Sequence, residues 1–306
     1  QLVVLPLFHA NAQYYSFASA IWTGASVALM PAFSASGFLP AAARHSATCA
    51  SLFAAPIRMI LARGGPSGGL RLRHCWYAQN IAADQYETVA EWFGCRPRQL
   101  YGMTETIPAV LTDESADPHH ASMGRVSVGC AVDVQDAAGC SVEPGTVGEV
   151  VVGGEPGLTL FAGYLDAPDI TAASFRDGWF LTGDRAVRDD TGRHYFDGRR
   201  SDVLKVSGEN VSIVEVESTL AEHPAVLEAA VVGRPDEMRD EVPVAFVVAA
   251  DLSAPPSVTE LDAWCAERLA KAKRPVVITL IEELPRTSVG KIRKFLLAEQ
   301  AAAESS

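Results

Sequence analysis

Four polar, glycine-punctuated stretches carry the residue types from which a site can be built. The first is "YGMTET", Tyr101 to Thr106. Tyr101 can stack on a flat ring, Thr104 offers a hydroxyl to a phosphate oxygen, and Glu105 is a hard oxygen ligand suited to Mg²⁺. The same letters also suit a polar turn with a helix cap. The second is "LTGDRAV", Leu181 to Val187, where a carboxylate after a glycine turn can accept two hydrogen bonds from a vicinal diol such as a ribose. Taken alone, that stretch reads first as a type I turn between strands. The third is "GRRSDVLKVSGENVSIVEVES", Gly198 to Ser218. Arg199 can clamp a phosphate or ribose through its fork of donors, and Gly208 lets backbone approach a ligand closely. An interdomain linker with solvated charges is the plainer alternative. The fourth is "PRTSVGK", in which Gly290 stands before Lys291. A lysine that must reach into a site benefits from that glycine, whereas an ordinary basic loop does not need it.

These stretches sit on a chain of alternating strands and helices. "LVVL", "SVALM", "ATCASLFAA", "LRLRHCWYA" and "RQLYG" read as strands. Between them, "AQYYSFASAIWTGA" reads as a helix ending near Gly24. "PIRMILARG" reads as a helix with Pro56 at its first position, and "ADQYETVAEWFG" as one closed by Gly94. Such alternation predicts an α/β layer with a largely parallel sheet over 1–123. "YGMTET" then falls at the carboxyl edge of that sheet, where open α/β folds bind ligands. From Gly124 to about Tyr195 short alternating segments broken by Gly, Pro and Asp predict antiparallel strands closing into a small barrel. After Gly198, "SIVEVESTLAEH" and "VTELDAWCAERLAK" read as helices, and "VLEAAVVGR" and "VPVAFVVAA" as strands, giving a small α+β unit. The expected division is 1–197, comprising 1–123 and a β-rich 124–197, followed by 198–306.

Bulk properties narrow the function classes. The chain has 306 residues, 48% hydrophobic and 20% charged, ample for a folded core and two domains. A net charge of −12 argues against nucleic acid as a partner, but not against a small anionic ligand at a locally positive site. The six cysteines form no C-x-x-C pair, which speaks against zinc and fits scattered thiols in a reducing, cytoplasmic setting. The almost uncharged stretch from Gln1 to Ala43 invites a transmembrane reading, but Pro6, Pro31 and Pro40 interrupt it. Its best uninterrupted piece, Phe17 to Met30, is too short to span a bilayer. "GGPSGG" at 64–69 lacks the lysine and Ser/Thr of a phosphate loop and reads as a surface loop. Opening on "QLVVLPL", without methionine and inside a strand, the sequence reads as the later part of a longer protein.

Taken together and in order, the four stretches, preceded by "LPLFHANAQ" at 5–13, resemble the successive motifs of the adenylate-forming superfamily: acyl-CoA synthetases, peptide-synthetase adenylation domains and luciferases. The resemblance spans essentially the whole chain. "SGENVSIVEVES" and "GKIRK" are most similar to the carboxylic acid–CoA ligase branch, especially its crotonobetaine/carnitine and fatty-acid members. It implies the later part of a large adenylate-forming domain, an α/β portion plus an antiparallel β sub-domain, followed by a small mobile α+β domain that alternates about a hinge near Ser201–Asp202. It further implies an AMP-forming acid–CoA ligase that uses ATP, CoA and Mg²⁺, passes through an acyl-adenylate, and has neither a nucleic-acid nor a membrane partner. A homo-oligomer is compatible with it.

Position by position, the resemblance places Tyr101 on adenine, with Gly102 in the same nucleotide site, Thr104 at the α-phosphate and Glu105 on Mg²⁺. Asp184 takes the ribose hydroxyls with Arg199 beside them. His9 falls near the substrate carboxylate and the thiol entry, and Lys291 bridges carboxylate and α-phosphate. The segment Ser207, Gly208 and Glu209 lies along the pantetheine arm. Three departures stand out. Ser201 occupies the hinge position that is usually Asp or Lys. "WYAQN", Trp76 to Asn80, replaces a glycine-rich turn, leaving the Asn80 amide to face adenine. The Ser/Thr/Gly-rich, lysine-containing phosphate loop is absent, its expected place lying before residue 1. That absence keeps two alternatives open: a ligase that performs only thioester formation from a supplied acyl-adenylate, and an inactive binding module.

Overall fold

The computed structural model describes every residue except 108, 200, 201, 208, 288–291 and 304–306. The chain divides into two units, Gln1–Phe196 and Asp197–Ser306.

In the first unit β1 (Leu2–Val3) leads into one helix in three pieces: α1 (Ala10–Ala12), a wider π-helical turn (Gln13–Ala18) and α2 (Ser19–Thr23). Next come β2 (Ala28–Leu29), α3 (Phe38–Arg44), β3 (Cys49–Phe53), α4 (Ala54–Arg63), β4 (His74–Ala78), α5 (Ala83–Phe93) and β5 (Arg98–Tyr101). All five strands pair in parallel, in the order β2-β1-β3-β4-β5. Their apolar runs are what a sheet covered on both faces requires, and Leu2, Val3, Leu52, Cys75 and Tyr77 are fully buried. Helix α5 turns Tyr86, Val89 and Phe93 into this core and stops at Gly94, whose φ of +72° lets its N–H reach back to the carbonyl of Ala90. Helix α4 starts two residues before Pro56, which therefore stands inside the first turn, where an N–H has no helical partner to lose. Strand β4 is shorter than the apolar run suggests, because the exposed Arg71 and Arg73 precede it. Among the described residues, no helix is long and apolar enough to cross a membrane.

Beyond β5 the sheet continues with antiparallel pairs. The strands are β6 (Leu111–Thr112), β7 (Ser122–Val126), β8 (Ala131–Gln135), β9 (Val147–Gly153), β10 (Phe175–Arg176), β11 (Trp179–Arg188) and β12 (His194–Arg199). Their order is β5-β6-β7-β12-β11-β9-β8, with β10 paired to β11. The expected antiparallel strands are present, but among the described residues the path ends at β8 instead of closing into a small barrel, and it continues the parallel sheet. A helix unforeseen in the sequence, α6 (Pro168–Ala173), precedes β10.

The second unit opens with a hairpin, β13 (Val203–Val206) and β14 (Glu209–Ser212), followed by α7 (Ile213–Ala221), β15 (Val226–Asp236), β16 (Asp240–Ala249), α8 (Val258–Arg268), β17 (Val277–Leu280) and α9 (Lys294–Ala303). The order is β14-β13-β16-β15, with β17 parallel to β16. Alternate residues of β15 and β16 feed two cores. Val231, Ala245 and Val247 share one with α7 and α8, while Ala230, Val232, Val244 and Phe246 share the other with α9.

Candidate active site

Tyr101 closes β5 at its carboxyl end and is buried; its phenol donates a hydrogen bond to Asp184 Oδ2 at 2.8 Å. What brings Asp184 there is a bulge. The register of β11 against β9 shifts between Leu181 and Arg185, and Gly183 in the middle takes φ +71°, a conformation that costs other residues strain. Polar contacts pin the irregular backbone: the Thr182 hydroxyl donates to the carbonyl of Val150 at 2.6 Å and accepts the N–H of Asp184 at 3.1 Å. The N–H of Gly183 donates to Glu149 Oε1 at 3.0 Å. Asp184, only 4% exposed, is thus aimed by distorted backbone beside the end of the parallel sheet.

After Tyr101 and Gly102 the chain makes one tight 3₁₀ turn, Thr104–Thr106. Thr106 holds it, accepting the N–H of Met103 at 3.0 Å and donating to its carbonyl at 3.2 Å. Glu105 ties the turn to the segment that follows β9. Its carbonyl accepts the N–H of Phe161 at 2.8 Å, and its Oε1 accepts the phenol of Tyr164 at 3.0 Å. The Tyr164 phenol is pushed up by burial and by the Glu105 carboxylate that accepts its hydrogen bond. Thr104 is exposed and makes no side-chain hydrogen bond among the described residues.

Asn80 follows β4, after a backbone kink at Gln79 (φ +70°). Gln99, inside β5, donates to Asn80 Oδ1 at 2.9 Å, and Arg58 donates to the Asn80 carbonyl at 3.2 Å. With its oxygen so engaged, Asn80 has its NH₂ to offer a ligand. His9 directly precedes α1 in an extended conformation, and Asn11 donates to the carbonyl of Leu52 at 3.2 Å, which holds this segment beside the carboxyl end of β3.

The first unit therefore joins Tyr101 directly to Asp184, links Asn80 to the same strand through Gln99, and sets Thr104 and Glu105 immediately beyond. Arg199 is exposed at the end of β12. Ser207 turns β13 toward β14 with φ +51°, its N–H donating to the Arg239 carbonyl at 2.9 Å, and Glu209 pairs with Val206 in the hairpin. The calls on Gly208, Ser201 and Lys291 fall outside the described residues. Sequence reasoning missed Gln99, Glu149, Tyr164 and Thr182. A glutamine in the otherwise apolar end of "RQLYG" was the one available signal. No group of three His, Cys, Asp or Glu is arranged for a metal among the described residues. The donor set here fits an ion that takes one carboxylate and completes its shell with phosphate oxygens and water, as Mg²⁺ does.

An open parallel sheet extended by antiparallel strands gathers aromatic, carboxylate and amide groups at its carboxyl edge, the place where open α/β folds take their ligands, and a small α+β unit follows in the chain. The AMP-binding enzyme family matches residues 1–165, and the AMP-binding enzyme C-terminal domain matches residues 215–291; the chain belongs to this family. It is 35% identical over 300 residues to the crotonobetaine/carnitine–CoA ligase of Salmonella arizonae, covering 96% of this chain and 57% of that protein. Its namesake in Proteus mirabilis is 35% identical over 297 residues, with the same coverage. Among solved structures, an anthranilate CoA ligase in complex with anthranoyl-AMP superposes with a TM-score of 0.88 at 29% identity, over 99% of this chain and 60% of the other. The o-succinylbenzoate CoA synthetase of Bacillus subtilis with AMP gives 0.82 at 33%, over 98% and 60%. The chain thus spans 57% of the length of these curated relatives.

Proposed function

We propose that the protein is an AMP-forming acid–CoA ligase. A carboxylate oxygen of the acid attacks the α-phosphorus of ATP, pyrophosphate leaves, and the acyl-adenylate forms. The sulfur of CoA then attacks the acyl carbon and AMP departs. The buried Tyr101–Asp184 pair at the carboxyl edge of the sheet carries this reading. With one oxygen fixed by the phenol, the Asp184 carboxylate is pre-set to accept ribose hydroxyls, and the ring that fixes it supplies a flat face for adenine. Asn80 offers its NH₂ to the base, with Gly102 at the same nucleotide, and Thr104 offers its hydroxyl to the α-phosphate. Glu105 would hold Mg²⁺, which neutralises phosphate charge when bound. Lys291 supplies an ammonium between carboxylate and phosphate, two anions that otherwise repel. His9 stands at the acyl end. Arg199 contributes donors at the ribose, and Ser207, Gly208 and Glu209 line the path of the pantetheine arm. A hinge near Ser201–Asp202 separates 1–197 from 198–306 and lets the two steps alternate. Six scattered cysteines without a C-x-x-C pair suit the cytoplasm.

The test uses the protein expressed from its whole gene, with crotonobetaine, anthranilate, benzoate and o-succinylbenzoate as acids. ATP–pyrophosphate exchange is compared with thioester formation from the matching synthetic adenylates. Exchange plus thioester is the expected result. Thioester without exchange would remove the activation step from this protein, and neither activity would overturn the proposal.

A further inference from the structure

One short segment holds both the main chain and the side chain of Glu105. The Glu105 carbonyl accepts the N–H of Phe161 at 2.8 Å, and its Oε1 accepts the Tyr164 phenol at 3.0 Å. That segment has anchors of its own. The Phe161 ring lies 6.0 Å from Phe175 of β10 and 5.3 Å from Phe180 of β11, centre to centre, in the apolar cluster that includes Tyr101. The Tyr164 ring packs 4.8 Å from that of Phe161, and the Tyr164 N–H donates to Thr171 Oγ1 of α6 at 2.9 Å.

The bond from phenol to carboxylate is therefore not needed to hold the segment. Ring packing and the backbone bonds persist without the hydroxyl, and a hydrogen bond open to solvent contributes little to folding. What the bond changes is the carboxylate. Among the described residues Glu105 has no lysine or arginine partner, so its charge is not cancelled. A neutral phenol orients that charge without neutralising it, whereas a cation would do both. With Oε1 engaged, Oε2 is left to a ligand, and a single carboxylate oxygen is what Mg²⁺ takes beside phosphate oxygens and water. The same device serves Asp184, whose Oδ2 accepts the phenol of Tyr101.

We propose that Tyr164 is a positioning residue for the metal-binding carboxylate: its phenol fixes Glu105 so that Oε2 is presented to a divalent cation. The inference rests on the assignment of Mg²⁺ to Glu105 in the ligase reading, and it gives Tyr164 no contact with substrate.

The experiment uses Tyr164→Phe, Glu105→Gln and the double variant in the protein expressed from its whole gene. Mn²⁺, whose electron-spin signal reports binding, is titrated into each protein held in excess over α,β-methylene-ATP, and the Mg²⁺ dependence of ATP–pyrophosphate exchange is measured alongside. Loss of one hydrogen bond to a charged group should weaken Mn²⁺ binding about tenfold in Tyr164→Phe and raise the Mg²⁺ needed for half-maximal exchange by the same factor. AMP affinity without metal should stay within twofold. Glu105→Gln should bind Mn²⁺ more weakly still, and the double variant no more weakly than Glu105→Gln. Equal Mn²⁺ affinity in Tyr164→Phe and the parent overturns the proposal. So does an AMP affinity that falls as far as the metal affinity, or a further loss in the double variant. If the unmodified protein performs neither step, the ligase reading has failed, and the Mn²⁺ titrations decide the role of Tyr164 by themselves; a parent that binds no Mn²⁺ overturns it.

Discussion

Asp184 and Glu217 are both largely buried carboxylates, one in each unit, and they are held by different means. Asp184 sits on a bulge, where backbone distortion and a neutral phenol aim it. Glu217 sits on the regular helix α7, where a cation and a backbone N–H share one of its oxygens. The contrast separates two uses of a buried acid. A carboxylate proposed to meet a ligand needs backbone that directs it, and here a glycine and a threonine provide that. A carboxylate that ties elements together needs a partner of opposite charge, and regular structure suffices to present it.

The largest effect expected is that of Lys291→Ala, because it removes the ammonium proposed to stand between carboxylate and phosphate. Loss of a preorganised electrostatic group typically costs about 10²–10³ in rate, so adenylation should fall by that factor while thioester formation from added adenylate persists. This sets a ceiling. Glu217→Gln, which removes a tie between elements, should slow adenylation less, and an equal loss would collapse the contrast with Asp184.

Asp184→Ala comes next. It should weaken AMP binding by about 100-fold in calorimetry, since hydrogen bonds to a charged group are worth roughly 1.5–3 kcal/mol each. It should also lower stability by about 1–3 kcal/mol, because the Tyr101 phenol is left buried without its acceptor. Glu217→Gln should leave AMP affinity within twofold. Equal loss of affinity in the two variants would break the division between ligand-facing and element-tying acids.

Thr182→Val tests whether the bulge does the aiming. It removes the bond to the Val150 carbonyl and the acceptor for the Asp184 N–H while keeping the side-chain volume. A net hydrogen bond is worth about 1 kcal/mol, so AMP should bind roughly five- to tenfold more weakly, with Asp184 intact. Unchanged affinity would mean that Tyr101 alone places the carboxylate.

The alternation of strand and helix through the first unit was legible because its parallel strands are apolar on both faces and α5 repeats Tyr86, Val89 and Phe93 ahead of a glycine. The hairpin β13–β14 was not. Lys205, Glu209 and Asn210 dominate the impression made by "DVLKVSGENVS", although Leu204, Val206 and Val211 are buried beneath them. A period of two was present there but too short to outweigh the charges. The continuation of the sheet from β5 into β6 and β7 depends on long-range pairing, which texture does not reveal. At the site, Tyr101, Glu105 and Asp184 stood out as chemical groups among glycines. Their supports did not: Thr182 matters through a register shift between two strands, and Tyr164 through a contact with Glu105 across the fold. Glu217 hid in "VEVES", within a stretch whose charges also suit a solvated linker.

The smallest effect expected is a pH dependence that sets apart burial and pairing at Glu217. Burial raises its carboxyl above the ordinary 4.5; Lys294 of α9 and the Val231 N–H of β15 work the other way, and the charge of Asp202 adds to the rise. Burial prevails, so the protonated form is favoured more in the folded protein than in the unfolded chain. The corresponding stability is fully present below pH 4.5 and is lost as pH climbs through the raised folded value. Glutamine stays neutral throughout and suffers no such loss. The melting temperature of the parent, relative to that of Glu217→Gln, should therefore drop across that window and then level off. A difference that moved the opposite way would mean that attraction to Lys294 outweighs desolvation. The pair would then be a net source of stability, and the distinction between an acid that fixes geometry and one that merely holds the fold would lose its thermodynamic basis.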